Sequence, residues 1–337
     1  MEKLKSAITK LLVIALPALT ITAISGFSTA SNAAECTFKP KSPITVGYSV
    51  FDMKQPYFQI YAAGIKSQAK KLGWAYVESD QKSSEQLQVS GSSDLINQGI
   101  SALIVSPIQP SALPATITQA HASNIPVIIG DVGAVGDYDA YVVSNNYNGG
   151  VLAGEYMVKA LAKVKGTKEI AVSTLDPSIS VGVDRVNGFL SVIKKHKDFK
   201  VVTNLNGKNT TPGGLAVVKA ALTAHPKIAG VFTANDPMGA GAAQAIAQAK
   251  KTGKIVLVSF NGDPFALDMV NAGTINATIA QDPYGQGVSA VDAAAALLKC
   301  DVPAFTKPAT KTIEAKVDVI TKANASALKA KNAAITG

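Results

Sequence analysis

Residues 101–150 read SALIVSPIQP SALPATITQA HASNIPVIIG DVGAVGDYDA YVVSNNYNGG. Residues 102–106 form a short run of apolar side chains, too short for a helix and rich in branched residues. Residues 113–122 repeat apolar side chains at three- and four-residue spacing and stop near Asn124. Residues 126–131 are again apolar until Asp131, and 141–144 give a further run. Continuous apolar strands separated by a helical period predict strands buried on both faces, which is the signature of a parallel sheet covered by helices.

Upstream of this stretch, strands are expected at 44–50 and 75–78, with helices at 57–72 and 84–98 that stop near Gly73 and Gly99. Downstream the rhythm restarts, with strands expected at 169–174, 200–204, 228–234, 255–260 and 276–281. The fold class is therefore α/β, with two Rossmann-like units in tandem. A helix at 285–299, a strand pair at 312–320 and a helix from Ser326 onward do not complete a third unit and read as connections returning between two lobes.

The N-terminus has a different grammar. Lys3, Lys5 and Lys10 precede an apolar run, 11–24, that Pro17 interrupts, and small residues follow at 28–34. That order predicts an export signal over residues 1–33, cut after Ala33 or Ala34, rather than a membrane anchor. Glu35 before Cys36 argues against lipid attachment at that cysteine. Export implies an oxidising compartment, where Cys36 and Cys300, the two cysteines of the chain, can pair.

The net charge of +9 comes from lysines scattered along the chain, the densest run being Lys194-Lys195-His196-Lys197. No aromatic residues interleave with them, so a nucleic-acid partner is not expected. His121, His196 and His225 lie far apart at expected helix ends. Without ligand spacing among them, no metal and no cofactor is expected.

In open parallel sheets, ligands bind beyond the carboxyl ends of the strands. Those ends are polar here: Ser49, Asp131, Ser144-Asn145-Asn146, Asn235-Asp236, Asn261-Gly262-Asp263 and Gln281-Asp282. Arg185 is the one arginine among 32 basic residues. Its rigid planar fork does what lysine cannot, so a single exception points to bidentate recognition.

Seven ordered segments carry a resemblance: 49–58 (SVFDMKQPYF), 125–131 (IPVIIGD), 143–150 (VSNNYNGG), 185–189 (RVNGF), 234–238 (ANDPM), 258–262 (VSFNG) and 277–281 (ATIAQ). In these the chain resembles the ribose-binding-protein family of periplasmic sugar receptors. The resemblance implies two Rossmann-like lobes joined by three crossings, the type I periplasmic binding protein fold. It implies a first lobe of residues 34–144 plus 282–308 and a second of 145–281 plus 309–337. It places ligand contacts at Gln55, Tyr57, Phe58, Asp131, Arg185, Asn235, Asn261 and Gln281, with Ser144 at the first crossing.

Gln55, Val132 and Asn261 stand where ribose receptors carry asparagine, arginine and aspartate. A polar loop at 206–211 replaces the second-lobe aromatic. The expected ligand is accordingly an uncharged, hydroxyl-rich sugar or polyol other than ribose. A disulfide between Cys36 and Cys300 is implied as well, because the resemblance puts the helix ending at Cys300 in the lobe that Cys36 opens.

The function this implies is that of a solute-binding protein in the periplasm. It would close about its hinge on a small polar solute and present it to the membrane permease of an ABC importer, with a chemoreceptor as a further partner. No enzymatic activity is expected, since no G-x-S-x-G elbow and no histidine motif occurs. The competing readings are an exported hydrolase or sugar-modifying enzyme on the same scaffold, and a receptor that only feeds chemotaxis or a membrane kinase.

Overall fold

A computed structural model of the chain describes residue 38 and residues 42–336. The expected export signal and Cys36 lie outside the described residues. The chain runs β1 (Thr45–Val50), α1 (Pro56–Lys71), β2 (Ala75–Asp80), α2 (Glu85–Asn97), β3 (Ala102–Val105), α3 (Pro114–Ala122), β4 (Val127–Gly130) and β5 (Ala140–Ser144). It continues with α4 (Asn146–Ala160), β6 (Lys168–Thr174), α5 (Ser180–Ile193), β7 (Phe199–Asn206), α6 (Thr211–Ala224), β8 (Ile228–Thr233), α7 (Asp236–Gln248), β9 (Val256–Asn261), α8 (Pro264–Asn271) and β10 (Ala277–Ala280). The closing elements are α9 (Pro283–Leu298), β11 (Thr312–Ala315), β12 (Asp318–Ile320) and α10 (Ala325–Thr336).

Two six-stranded sheets result, ordered β11-β5-β4-β3-β1-β2 and β12-β10-β9-β8-β6-β7. All pairings are parallel except that of β12 with β10. The inner strands β3 and β4 are buried at every residue, as their unbroken apolar runs require, whereas the edge strands β2 and β7 are partly exposed. Helices stop where the sequence offers a left-handed position. Gly73, Gly99 and Asn124 have φ of 73°, 77° and 57°.

The last part of the chain departs from the sequence reading. β11 and β12 do not pair with each other: β11 adds to β5 in the first sheet and β12 to β10 in the second. The third crossing therefore falls between Ala315 and Asp318, not at residue 308. Two short strands three residues apart look like a hairpin in sequence. In the fold they are the two ends of a bridge, each finding its hydrogen bonds on a different sheet edge.

Helix α9 returns to the first lobe. It packs on α1 so closely that a Cβ at Gly287 would lie 2.2 Å from the Tyr61 carbonyl oxygen, and one at Gly64 would lie 2.2 Å from that of Tyr284. This reciprocal fit brings the start of α9 up against Tyr57. The first lobe is filled by one cluster around Tyr48, Tyr61 and Ile65 and another around Leu103, Leu113 and Ile129. The second is filled around Leu257 and Val231 on one face of its sheet and Phe189, Phe232 and Phe260 on the other.

Candidate functional site

Asp131 follows β4 with φ at 66°, a left-handed conformation that a non-glycine residue holds only under local constraint. The constraint is visible. Its N–H donates to the Val142 carbonyl (2.9 Å), and its own carbonyl accepts from the Tyr141 hydroxyl (2.8 Å). Its Oδ1 faces the Tyr57 hydroxyl at 3.1 Å. Burial pushes the Asp131 carboxyl up, while Arg185 and the Tyr57 hydrogen bond pull it down. Arg185 thus acts on Asp131 from the other lobe. Burial pushes the Tyr57 hydroxyl well up, and the neighbouring Asp131 adds to that, so Tyr57 keeps its proton.

Arg185 lies in α5 with 4% of its surface exposed. Its Nε donates to Asn146 Oδ1 (2.8 Å), and one terminal nitrogen donates to the Ala234 carbonyl (2.9 Å) and to Asn261 Oδ1 (3.1 Å). The guanidinium lies 4.0 Å from the centre of the Phe260 ring, within cation–π range. Burial alone would lower its pKa, and Asp131, Tyr57, Asp236 and Asp263 counter that. All three of its hydrogen bonds go to neutral oxygens. The charge is balanced at a distance, in part across the cleft.

Between these two charged groups runs a chain of amides and hydroxyls. Tyr57 Oη is also 3.1 Å from Gln286 Oε1. Gln286 Nε2 donates to Ser144 Oγ (3.0 Å), and Ser144 Oγ donates to Gln281 Oε1 (2.9 Å). Gln281 Nε2 donates to Asn261 Oδ1 (3.0 Å), the oxygen that Arg185 also reaches. Ser144 ends β5 and Gln281 follows β10, so this chain passes through the first two crossings.

The structure thus brings Tyr57, Asp131, Ser144, Arg185, Asn261 and Gln281 into one connected set. Asn235 lies beside it as the N-cap of α7: its Oδ1 accepts from Met238 N–H (3.0 Å) and its Nδ2 donates to Asn209 Oδ1. Phe58 is 4% exposed, stacked on Phe51 with ring centres 5.1 Å apart, and belongs to the first-lobe core. Gln55 is exposed at the N-cap of α1 and makes no side-chain cap. Sequence reasoning passed over Gln286 and Asn146. Asn146 stood in a polar strand end, whereas Gln286 lies inside a helix where only packing reveals it.

Beneath the second-lobe strand ends, the fully buried Asp236 accepts from Ser259 Oγ, from Thr278 Oγ1 (2.8 Å) and from the Asp263 N–H (2.8 Å). Burial, with Asp263 nearby, pushes its carboxyl up. This carboxylate ties β8, β9 and β10 together where Asn235, Asn261 and Gln281 emerge.

A family described as the periplasmic binding protein domain matches residues 46–301. The chain belongs to the periplasmic binding protein family. Among its relatives, the ribose import binding protein of Bacillus subtilis (strain 168) is 31% identical over 283 residues, covering 84% of this chain and 88% of that one. Two solved structures extend the likeness. The periplasmic binding component of the arabinose ABC transporter from Shewanella sp. ANA-3, bound to α- and β-L-arabinofuranose, aligns with TM-score 0.70 at 27% identity, covering 86% of this chain and 97% of that one. The Caulobacter myo-inositol binding protein, bound to myo-inositol, aligns with TM-score 0.70 at 25% identity over the same shares. The two lobes of this periplasmic binding protein, with their parallel sheets, are those of type I members of the family.

Proposed function

We propose that this periplasmic binding protein is the solute-binding subunit of an ABC importer and takes a sugar or polyol between its lobes. The observation that carries this reading is the connected set running from Asp131 and Tyr57 to Asn261 and Arg185. A carboxylate and a guanidinium stand on opposite lobes, and amides fill the space between them. Such groups donate and accept in pairs and match vicinal hydroxyls. Within the connected set one carboxylate, Asp131, faces one guanidinium, so the set itself carries no surplus charge for a charged solute.

Tyr57, Asp131, Arg185, Asn261 and Gln281 are the contacts proposed for the solute, with Gln55 and Asn235 completing the walls, Phe58 backing the Tyr57 ring from the first-lobe core and Ser144 setting the first crossing. Closing the lobes about the three crossings stabilises the bound form through contacts made by both lobes at once. That closed form is what the permease, and any chemoreceptor, would read. Export to the periplasm through the N-terminal signal and the lack of a chemical step belong to the same proposal.

The test is thermal denaturation of the mature chain with D-ribose, L-arabinose and myo-inositol, and with amino acids as the contrasting class. A solute at a hundred times its dissociation constant adds about 2.7 kcal/mol and raises the melting temperature visibly. A shift with an amino acid and none with any sugar or polyol would overturn the proposal.

A further inference from the structure

Tyr57 has one hydroxyl hydrogen and two acceptors at the same distance, Asp131 Oδ1 and Gln286 Oε1, each 3.1 Å away. It can donate fully to only one of them. With the cleft empty, the ionised carboxylate is the stronger acceptor. Each solute hydroxyl that donates to Asp131 weakens its pull on Tyr57, and Gln286 Oε1 is already in place to take the hydrogen.

What lies beyond Gln286 gives that choice a consequence. Its amide is held with Nε2 toward Ser144 Oγ, and the Ser144 hydrogen is directed to Gln281 Oε1. Donors and acceptors along this path all point the same way, from Tyr57 to Gln281, and bonds so aligned polarise one another. Gln286 and Ser144 are 0% and 1% exposed, so water does not compete for them. The last bond of the path joins the residue that ends β5 to the residue that follows β10, which are the first and second crossings between lobes.

On the sugar reading of the cleft, we propose that Gln286 is a positioning residue of the hinge. It takes the Tyr57 hydrogen when a solute occupies Asp131, and through Ser144 it strengthens the bond to Gln281 that ties the two crossings together. Occupancy of the first lobe is thereby felt at the hinge before the second lobe touches the solute. Gln286 itself touches no solute in this scheme.

Two measurements on the full mature chain decide it. In unliganded protein carrying 15N-labelled glutamine, Asp131→Asn, which weakens the pull on the Tyr57 hydrogen as a bound solute would, should move the side-chain amide resonances of both Gln286 and Gln281, and adding Tyr57→Phe should abolish those shifts. A shift confined to Gln286, or none at all, overturns the relay. The second measurement is a cycle between Tyr57→Phe and Ser144→Ala, residues joined through Gln286. It uses calorimetry with whichever of D-ribose, L-arabinose or myo-inositol raises the wild-type melting temperature most. Each single change should weaken binding about tenfold, as loss of one buried hydrogen-bond partner does, and the double should be little weaker than the worse single. Gln286→Leu should match them. Losses that multiply in the double, or wild-type affinity in any single, overturn the proposal. Should none of the three probes shift the wild-type protein, the sugar reading fails on that result alone, while the glutamine spectra still decide the relay.

Discussion

Arg185 does work inside the protein that its place in the sequence does not announce. Its uniqueness among lysines points to a fork, and the fork is used, but three of its hydrogen bonds go to Asn146, Ala234 and Asn261 of the protein. Arg185→Lys should therefore lower stability and affinity together. A single ammonium cannot reproduce three bonds in one plane, so about 1–3 kcal/mol of stability and at least tenfold in affinity should go. Urea titration and calorimetry on the one variant check both, and an unchanged affinity would remove Arg185 from the solute's surroundings. Asp236 makes a different prediction. Its folded carboxyl binds a proton more tightly than the ordinary value of 3.8 would, so the stability it lends is complete below that value and is lost as pH rises through the raised one. Melting temperature should fall between about pH 4 and pH 8, and Asp236→Asn should flatten the slope, since its neutral side chain has no proton to lose. The polar strand ends that hold these residues were legible from sequence because a carboxylate or amide closing an apolar run needs a partner. Gln286 was not legible, because nothing in a helical repeat marks which polar residue turns inward.

At the level of elements, legibility followed burial. The inner strands β3, β4, β8 and β9 announce themselves as unbroken apolar runs, and the structure finds them within a residue or two of where the sequence put them. β11 and β12 are short and half exposed, and their pairing is fixed by the sheet edges they meet rather than by their own residues. Sequence proximity therefore suggested a pair where the fold makes a bridge. The glycine-rich stretch Gly239 to Ala243 is the reverse case. Its small residues mark close helix packing, and a Cβ at Gly241 would lie 2.0 Å from the Thr211 carbonyl oxygen of α6. The same geometry at the α1–α9 contact gives a test with functional reach. Gly287→Ala would place its Cβ against backbone, which cannot turn aside, so the helices must separate at a cost of about 1–3 kcal/mol. Urea denaturation should show that loss. Binding of a sugar that the wild-type chain accepts should weaken too, because α9 then carries Gln286 away from Tyr57.

At the scale of the whole molecule, α9 joins the cleft to the far end of the first lobe. Its first turns hold Gln286 beside Tyr57, and Cys300 stands two positions past its last residue, Leu298. A helix rising 1.5 Å per residue puts that cysteine about 20 Å from Gln286. Cys36, the chain's other cysteine, lies outside the described residues. The proposed bond between them would fasten the C-terminal end of α9 to the segment leading into β1. The chain leaves the first lobe at Ser144 and re-enters it at α9, so such a bond would hold the re-entering helix in place even when the second lobe loosens. Closing so long a loop should contribute about 2–5 kcal/mol, chiefly by restricting the unfolded chain. The distance from the cleft then separates stability from binding. Cys36→Ser with Cys300→Ser, or reduction of the wild type, should lower the melting temperature while leaving the dissociation constant for a bound sugar within about twofold, since no residue of the connected set is touched. Mass spectrometry of a non-reduced digest checks the pairing itself. Two free thiols in the exported protein would remove the bond from this account, and a large loss of affinity on reduction would mean that α9 transmits strain along its whole length to Gln286.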